Sequence, residues 1–441
     1  MFLTNNKYLN NSTLIVPLSI TAHTCDDITS DTPSRQLSQQ NCLNEQVFLV
    51  LKEIIPGFVT GCTQEDLIIR NLTGGLSNHL LTVSIPKTEL QPASEEDTST
   101  VLIRLHPAEE MEASPSGSSN LFDRNIESQI SAELSQAGIA PVYYGRFQNG
   151  RIEEFYDGMR TVTCDEMRNE RYAKAIAVQL AKLHKLKISS TNDHEEGDAI
   201  YKGKGQIWRR IENWICMAKK SASAEKGVNN GDDKTRKDMI LEMESEWDWL
   251  KLQLLHTDES SSPLPPEVER AIAFSREVVF AHNDCQSLNI LTPVNGEGEA
   301  ETESFDVRLI DFEYAGMNPR GVDLANTFTE CCDMNNLIPD YQNQYPTPSI
   351  QDAFLSAYLK ETDVLLSRAV ECEESAMDKN LFFSTLRDQI GKYSLLSHLG
   401  WAAWAVLQSS TASIEFDYMT YAAIRLEGYR FFKSKYLTKQ H

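Results

Sequence analysis

His282-Asn283-Asp284-Cys285-Gln286-Ser287-Leu288-Asn289, followed further on by Leu309-Ile310-Asp311-Phe312-Glu313, decides how this chain is read. The first run has the form H-x-D-x-x-x-x-N, and the second is an apolar stretch ending in D-F. Together they offer one aspartate to accept a hydroxyl proton, and an asparagine and an aspartate to hold magnesium under ATP. Phosphoryl transfer asks for positioned charge more than for covalent chemistry, and oxygen-bearing side chains at this spacing supply it. Asp284 is therefore the candidate base. Asn289 and Asp311 are the candidate Mg2+ ligands, since hard cations want oxygen donors. Taken singly, each reads equally well as a turn or N-cap residue. Bracketed by Glu277-Val278-Val279-Phe280-Ala281 and Ile290-Leu291, they read as a site. His282 is expected to be structural, hydrogen-bonded behind the loop.

Working outward, 441 residues suffice for two lobes with a sizeable core, and an apolar fraction of 41% is ordinary for a soluble protein. No stretch approaches the length of apolar residues that a membrane span requires, so no stable membrane insertion is expected. The net charge of −23 argues against nucleic acid as a partner, because most of the surface would repel a phosphate backbone. An anionic nucleotide must then be held by local basic residues and metal. Nine cysteines without C-x-x-C pairs indicate neither a zinc site nor a disulfide framework, and point to a reducing, cytoplasmic setting.

Residues 1–42 are rich in Ser, Thr and Asn and read as a disordered extension. A helix is expected over Asn44–Ile55, strands over Asp66–Leu72, Asn78–Ile85 and Val101–Leu105, a helix over Arg124–Ala137 capped by Gly138, and a hairpin over Val142–Phe147 and Arg151–Tyr156. Later helices are expected over Tyr172–Leu186, Gln206–Lys219, Met239–Leu255, Gln351–Leu359, Leu381–Leu407 (in one or two pieces) and Tyr418–Tyr436. The polar tracts Ser221–Lys237, Thr257–Pro266 and Gly296–Ser304 read as surface insertions. The pattern predicts an α+β, bilobal, protein-kinase-like fold. A small β-rich N-lobe would occupy 43–156 and a large, mainly helical C-lobe 157–441.

Two further constellations carry chemistry. The loop Gly74-Gly75-Leu76-Ser77-Asn78, between two strands, can bring backbone N–H groups close to phosphate, with Gly75, Ser77 and Asn78 as candidate nucleotide contacts. Arg104 on the following strand would take the place of the lysine that grips ATP phosphates in kinases, with Glu127 on the next helix as its partner. An exposed strand arginine is the plainer alternative. Trp401-x-x-Trp404 puts two indoles on one helix face. The pair is either core or an aromatic cage for a cationic head group. Tyr314, Phe328 and Tyr421 could add walls, and Glu313 and Glu330 negative charge.

These residues resemble the choline/ethanolamine kinase family. The likeness runs through His282-Asn283-Asp284-Cys285-Gln286 with Asn289, then Ile310-Asp311-Phe312-Glu313-Tyr314, Asn318, Arg320-Gly321, Asp323, Asn326, Phe328 and Glu330. It ends with Ser397-His398, Trp401, Trp404 and Ile414-Glu415-Phe416-Asp417-Tyr418. The resemblance implies transfer of phosphate from ATP to choline or ethanolamine, at the entry to phosphatidylcholine or phosphatidylethanolamine synthesis, in an enzyme that forms a homodimer. It implies Asp284 as base, Asn289 and Asp311 on Mg2+, Gln286 near the nucleotide, and Glu154 and Phe155 where a hinge strap meets ATP. Tyr314, Trp401, Trp404 and Tyr421 match the cage around the amine, and Glu313 and Glu330 its acidic side. Three positions depart from the pattern. After Glu330 comes Cys331-Cys332-Asp333-Met334-Asn335 where choline-preferring relatives carry an aromatic; Pro319 replaces an aromatic; Leu134 replaces a basic residue. The wording leans to choline and the departure after Glu330 to ethanolamine. Other readings are a small-molecule kinase of the aminoglycoside or methylthioribose kind, which lacks the Trp pair, and an inactive scaffold, against which Asp284, Asn289 and Asp311 all stand.

Overall fold

The structure of the protein, a computed structural model, describes residues 15–20, 33–72, 79–86, 100–106, 124–189, 201–224, 231–255, 263–294, 305–334, 336–363, 366, 378–410 and 416–437. It divides into two compact units, Met1–Met159 and Arg160–His441.

The first unit is built on one sheet. Its strands are β1 (Ile15–Val16), β2 (Ile68–Leu72), β3 (His79–Ser84), β4 (Thr100–Leu105), β5 (Tyr143–Phe147) and β6 (Gly150–Glu154), in the order β1-β5-β6-β4-β3-β2. All neighbours are antiparallel except β1, which runs parallel to β5. Alternation along a strand sends successive side chains to opposite faces. Val101, Ile103 and Leu105 therefore join Leu81, Val83 and Ile152 in one apolar layer. Helix α1 (Pro33–Ile54) covers that layer with Leu43, Val47, Val50, Leu51 and Ile54, which recur at helical spacing. Fully buried members such as Leu51, Val83 and Ile103 stabilise the unit by roughly 2 kcal/mol each. The opposite face of the same strands carries Arg104, Arg151 and Glu153. Helix α2 (Arg124–Gln136) stops at Gly138, whose φ of 68° only glycine adopts without strain.

The stretch read as a disordered extension is in part ordered. Ile15 and Val16 pair with Arg146 and Phe147, Ile20 is fully buried, and α1 begins at Pro33, well before Asn44. The signal was hidden because the first turns of α1 are polar, while proline at a first helical position fits the helix without losing a hydrogen bond. The Gly74–Asn78 loop, including Gly75, Ser77 and Asn78, lies outside the described residues.

The second unit is mainly helical: α3 (Glu170–His184), α4 (Ile207–Ala224), α5 (Gly231–Leu255), α6 (Pro266–Arg276), α7 (Arg320–Thr329), α8 (Pro348–Thr362), α9 (Lys379–Gln408) and α10 (Tyr418–Tyr436). The region expected over Leu381–Leu407 is one continuous helix, buried on every side from Tyr393 to Leu407, as befits the centre of a bundle. Helices α4, α6, α7 and α10 pack around it, and α8 packs on α3. Helices α6 and α7 are not foreseen by apolar spacing. Every residue of α7 is buried, and its buried polar groups (Arg320, Asp323, Asn326, Thr327 and Thr329) break any apolar stripe. Among the described residues, no helix is long and apolar enough to cross a membrane.

Two small sheets position the site within this unit. Strand β8 (Val278–Ala281) pairs antiparallel with β11 (Gly316–Pro319). Strand β9 (Ile290–Pro293) lies between β10 (Arg308–Leu309) and β7 (Met159–Thr161). The loop 282–289 thus links β8 to β9, and the turn 310–315 links β10 to β11. Ile310 donates its amide to the Asn289 carbonyl at 3.0 Å, tying loop and turn together.

Candidate active site

The loop between β8 and β9 is held from behind by one carboxylate. Asp323 on α7, fully buried, accepts the backbone N–H of His282 at 2.8 Å and of Asn283 at 2.7 Å. His184 on α3 reaches the same carboxylate through Nε2 at 2.8 Å, which makes Nε2 the protonated nitrogen; Nδ1 then accepts from the Tyr358 hydroxyl at 2.5 Å. Arg320 Nε donates to that hydroxyl at 3.1 Å. Burial works to raise the pKa of Asp323, but the hydrogen bonds from the His184 ring and the His282 amide outweigh it and hold the carboxyl below its ordinary value.

Asn283 sits at φ 66°, a left-handed conformation that asparagine tolerates better than most residues. Its side-chain amide secures the bend: Nδ2 donates to the Tyr314 carbonyl at 2.9 Å, and Oδ1 accepts from Asn318 at 2.7 Å. His282 is structural, as expected: Nε2 bonds the Ile310 carbonyl at 3.0 Å, and Phe312 packs against the ring. The bend delivers Asp284, 8% exposed, with its Oδ2 accepting from Asn289 Nδ2 at 2.9 Å and from Gln286 Nε2 at 3.3 Å. Burial, then the charges of Glu330 and Asp311, push the Asp284 pKa well above the usual carboxylate range.

Asn289 donates its Nδ2 to both the carbonyl and the carboxylate of Asp284 at 2.9 Å. That commits the amide's nitrogen and turns Oδ1 away as an acceptor. Asp311 has φ 64°, the second non-glycine residue in the left-handed region among those described. An amide oxygen and a carboxylate are hard donors of the kind a magnesium ion prefers.

Most of the residues expected to form the aromatic cage come together in this unit. Tyr314 meets Trp401 edge-on with centroids 5.0 Å apart; Trp401 meets Trp404 at 5.5 Å and 82°; Trp404 meets Tyr421 at 6.3 Å and Tyr418 at 5.7 Å. Trp401 is oriented by Asn326, whose Oδ1 accepts its indole N–H at 3.0 Å and the Ser397 hydroxyl at 2.9 Å. Tyr314 feels Glu313, Asp284 and Asp311, and Tyr421 feels Glu330 and Asp284, so rings and carboxylates share one locality. Phe328 packs on Tyr345 and Phe354.

Several residues central to this geometry escaped the sequence reading. Glu330 is not a bare carboxylate: buried Arg425 on α10 donates to it at 2.5 Å and to the Tyr421 hydroxyl at 2.6 Å. The spacing of Tyr421 and Arg425, four apart on a helix, was the available signal. Trp214, tilted against Trp401 at 6.2 Å, and Arg210, bonded to the Tyr314 carbonyl at 2.9 Å, gave none.

In the first unit Arg104 and Glu127 belong to one cluster of charges with Arg151 and Glu153. Arg151 bonds Glu127, and its Nε lies 2.6 Å from Glu153, while Arg104 approaches Glu153 at 3.6 Å. Cross-strand register accounts for the cluster, because Arg151 stands directly opposite Arg104 on the same face. Glu154 turns its carboxylate to the Val142 amide at 3.0 Å, and Phe155 is half-buried beside it.

The chain matches the choline/ethanolamine kinase family over residues 69–430. It is 28% identical over 410 residues to choline kinase alpha of Mus musculus, covering 87% of this chain and 79% of that one. It is 28% identical over 402 residues to the choline/ethanolamine kinase of Homo sapiens, covering 88% and 86%. The crystal structure of a choline kinase from Cryptosporidium parvum Iowa II superposes with a TM-score of 0.62 at 24% identity, over 89% of this chain and 95% of that one, which shows the shared protein-kinase-like fold. The catalytic-loop geometry, the paired indoles and the family match over most of the chain lead to one assignment: this protein belongs to the choline/ethanolamine kinase family.

Proposed function

We propose that the protein transfers a phosphoryl group from ATP to the hydroxyl of a small amino alcohol, taking choline ahead of ethanolamine. The observation that carries this reading is the neighbourhood of Asp284. A buried carboxylate with a raised pKa is a strong proton acceptor, and it shares its locality with aromatic faces suited to a cation. Asp284 would take the proton of the alcohol as its oxygen attacks the terminal phosphorus and ADP leaves. Gln286 and Asn289, both bonded to the carboxylate, fix which oxygen points forward. Asn289 and Asp311 would hold Mg2+, which when bound offsets the negative charge of the phosphates. Arg104, with Arg151 paired beside it, is the proposed phosphate grip of the first unit, and the backbone near Glu154 and Phe155 the proposed contact for the base.

Choline is favoured on a point of charge. Ethanolamine offers N–H donors and rewards directed carboxylates; choline offers none and rewards π faces. One oxygen of Glu330 is committed to Arg425, which leaves the rings as the larger part of the cage. We further place the activity in a reducing cytoplasm, at the first step of the CDP-choline or CDP-ethanolamine route. The test is a coupled ADP-release assay with MgATP and each amine side by side. A larger kcat/KM for choline supports the reading, a larger value for ethanolamine reverses the preference, and no turnover with either overturns it.

A further inference from the structure

Behind Tyr314 and Trp401, on the side of α4, lies a hollow lined among others by Arg210, Trp214, Tyr314, Asn326, Ser397 and Trp401. Its base has room for about one water-sized species. The polar groups around it are unevenly used. The orientation of the Asn326 amide is fixed, because the Trp401 indole can only donate and so must face Oδ1. Asn326 is 2% exposed, and its Nδ2 has no acceptor among the protein atoms. Arg210 donates Nη1 to the Tyr314 carbonyl and lies 6.0 Å from the Trp214 ring, but pairs with no carboxylate among the described residues.

The acceptors, by contrast, are more heavily used. Asn326 Oδ1 takes Ser397 and Trp401, Asn283 Oδ1 takes Asn318, the Tyr314 carbonyl takes Arg210 and Asn283, and the Ser397 hydroxyl also meets Thr329 at 3.3 Å. What remains unmet is the Asn326 Nδ2 donor, beside an Arg210 charge that has no carboxylate partner among the described residues. A water molecule there could accept from Asn326 but would leave the Arg210 charge without a counter-ion. A species that only accepts would satisfy every leftover group.

We propose that this hollow is a binding site for a small monovalent anion of the halide class, set behind the aromatic walls of the amine cage. The half-buried Arg210 guanidinium has no carboxylate partner among the described residues, and desolvation draws its pKa down to about 10, both of which an anion would reverse. Resting on the function proposed above, the anion also acts on catalysis. Negative charge behind the Trp401 and Tyr314 rings attracts a cation on their other side, so halide and amine strengthen each other's binding.

The site is tested first without turnover, by anomalous scattering from crystals of the full chain soaked in sodium bromide. A bromide peak between Arg210 and Asn326, lost in Arg210→Met and kept in Arg210→Lys, is expected. A peak with no anomalous signal, or a bromide that survives in Arg210→Met, overturns the proposal. Thermal unfolding of both variants checks that they fold. The coupling is then read as the amine KM in chloride against gluconate at equal ionic strength, with about a fivefold lower value expected in chloride. A chloride effect that persists unchanged in Arg210→Met counts against the site. Absence of any turnover would sink the amine kinase reading and leave the bromide result standing.

Discussion

Asp323→Asn is the perturbation that asks most of the site, because one carboxylate holds two consecutive backbone amides of the catalytic loop and the His184 ring. Asparagine keeps the shape but replaces one acceptor oxygen with an NH2 group, which must face one of those donors. Where the NH2 takes the place of Oδ1 it faces the Asn283 amide and one bond is lost; where it takes the place of Oδ2 it faces the His282 amide and the His184 ring and two are lost, at about 1.5–3 kcal/mol each. The total, about 2–6 kcal/mol, brackets what breaking a buried charged pair costs. For a unit of this size that is a fall in Tm of roughly 10 °C. The catalytic consequence is separate: Asn283, at φ 66°, relaxes when its amide is released, and a displacement of Asp284 by about 1 Å costs about a hundredfold in kcat. Because the folded pKa of Asp323 lies below its ordinary value, its stabilisation is full above about pH 4 and fades as pH falls through the folded value. The stability gap between wild type and variant should narrow in acid. Thermal unfolding by circular dichroism across pH, with steady-state kinetics at neutral pH, measures all three. A variant within about 1 kcal/mol of wild type and within about twofold in kcat would refute the idea that Asp323 holds the loop.

The remaining expectations concern the cage and the charge around it. Trp404→Phe keeps the packing against Trp401 and Tyr418 but weakens the π face, so the amine KM should rise about fivefold, for about 1 kcal/mol, while the ATP KM stays within error; equal effects on both would return the indole to a packing role. Arg425→Met strands Glu330 as a buried uncompensated charge and should cost about 3–5 kcal/mol in urea unfolding, most of it recovered by adding Glu330→Gln. A double variant no more stable than the single would show that the pair is not the source. Across the series from low to physiological salt, the amine KM should rise and the ATP KM fall, because a net charge of −23 attracts the cation and repels the nucleotide. Parallel changes in both would remove the whole-protein field from the account.

Much of the fold was legible where a pattern repeats. Strands β3 and β4, the hairpin β5–β6, and helices α3, α4 and α10 lie within a few residues of their expected bounds. The reading failed where buried polar groups interrupt the apolar pattern or where the apolar signal is thin. Helix α7 is enclosed on every side and carries charged and amide groups, so no stripe marks it. The first turns of α1 read Pro33-Ser34-Arg35-Gln36 and look like linker, though the helix is anchored further on by Leu43 and Val47.

The site shows the same division in sharper form. The residues proposed to face substrate stand out by type and spacing, as Asp284, Asn289, Asp311 and the Trp pair do, since the proposed chemistry restricts which side chains will serve. Residues that hold those in place need only reach them, and they reach from anywhere: Asp323 on α7 bonds the loop, His184 on α3 bonds Asp323, and Arg425 on α10 bonds Glu330. The ion pair of Glu127 with Arg151 shows the same division. The type of residue, an acid beside strand arginines, was readable, but which arginine it meets depends on the register that sets Arg151 opposite Arg104. Register is a property of the whole sheet, and no single stretch of sequence contains it.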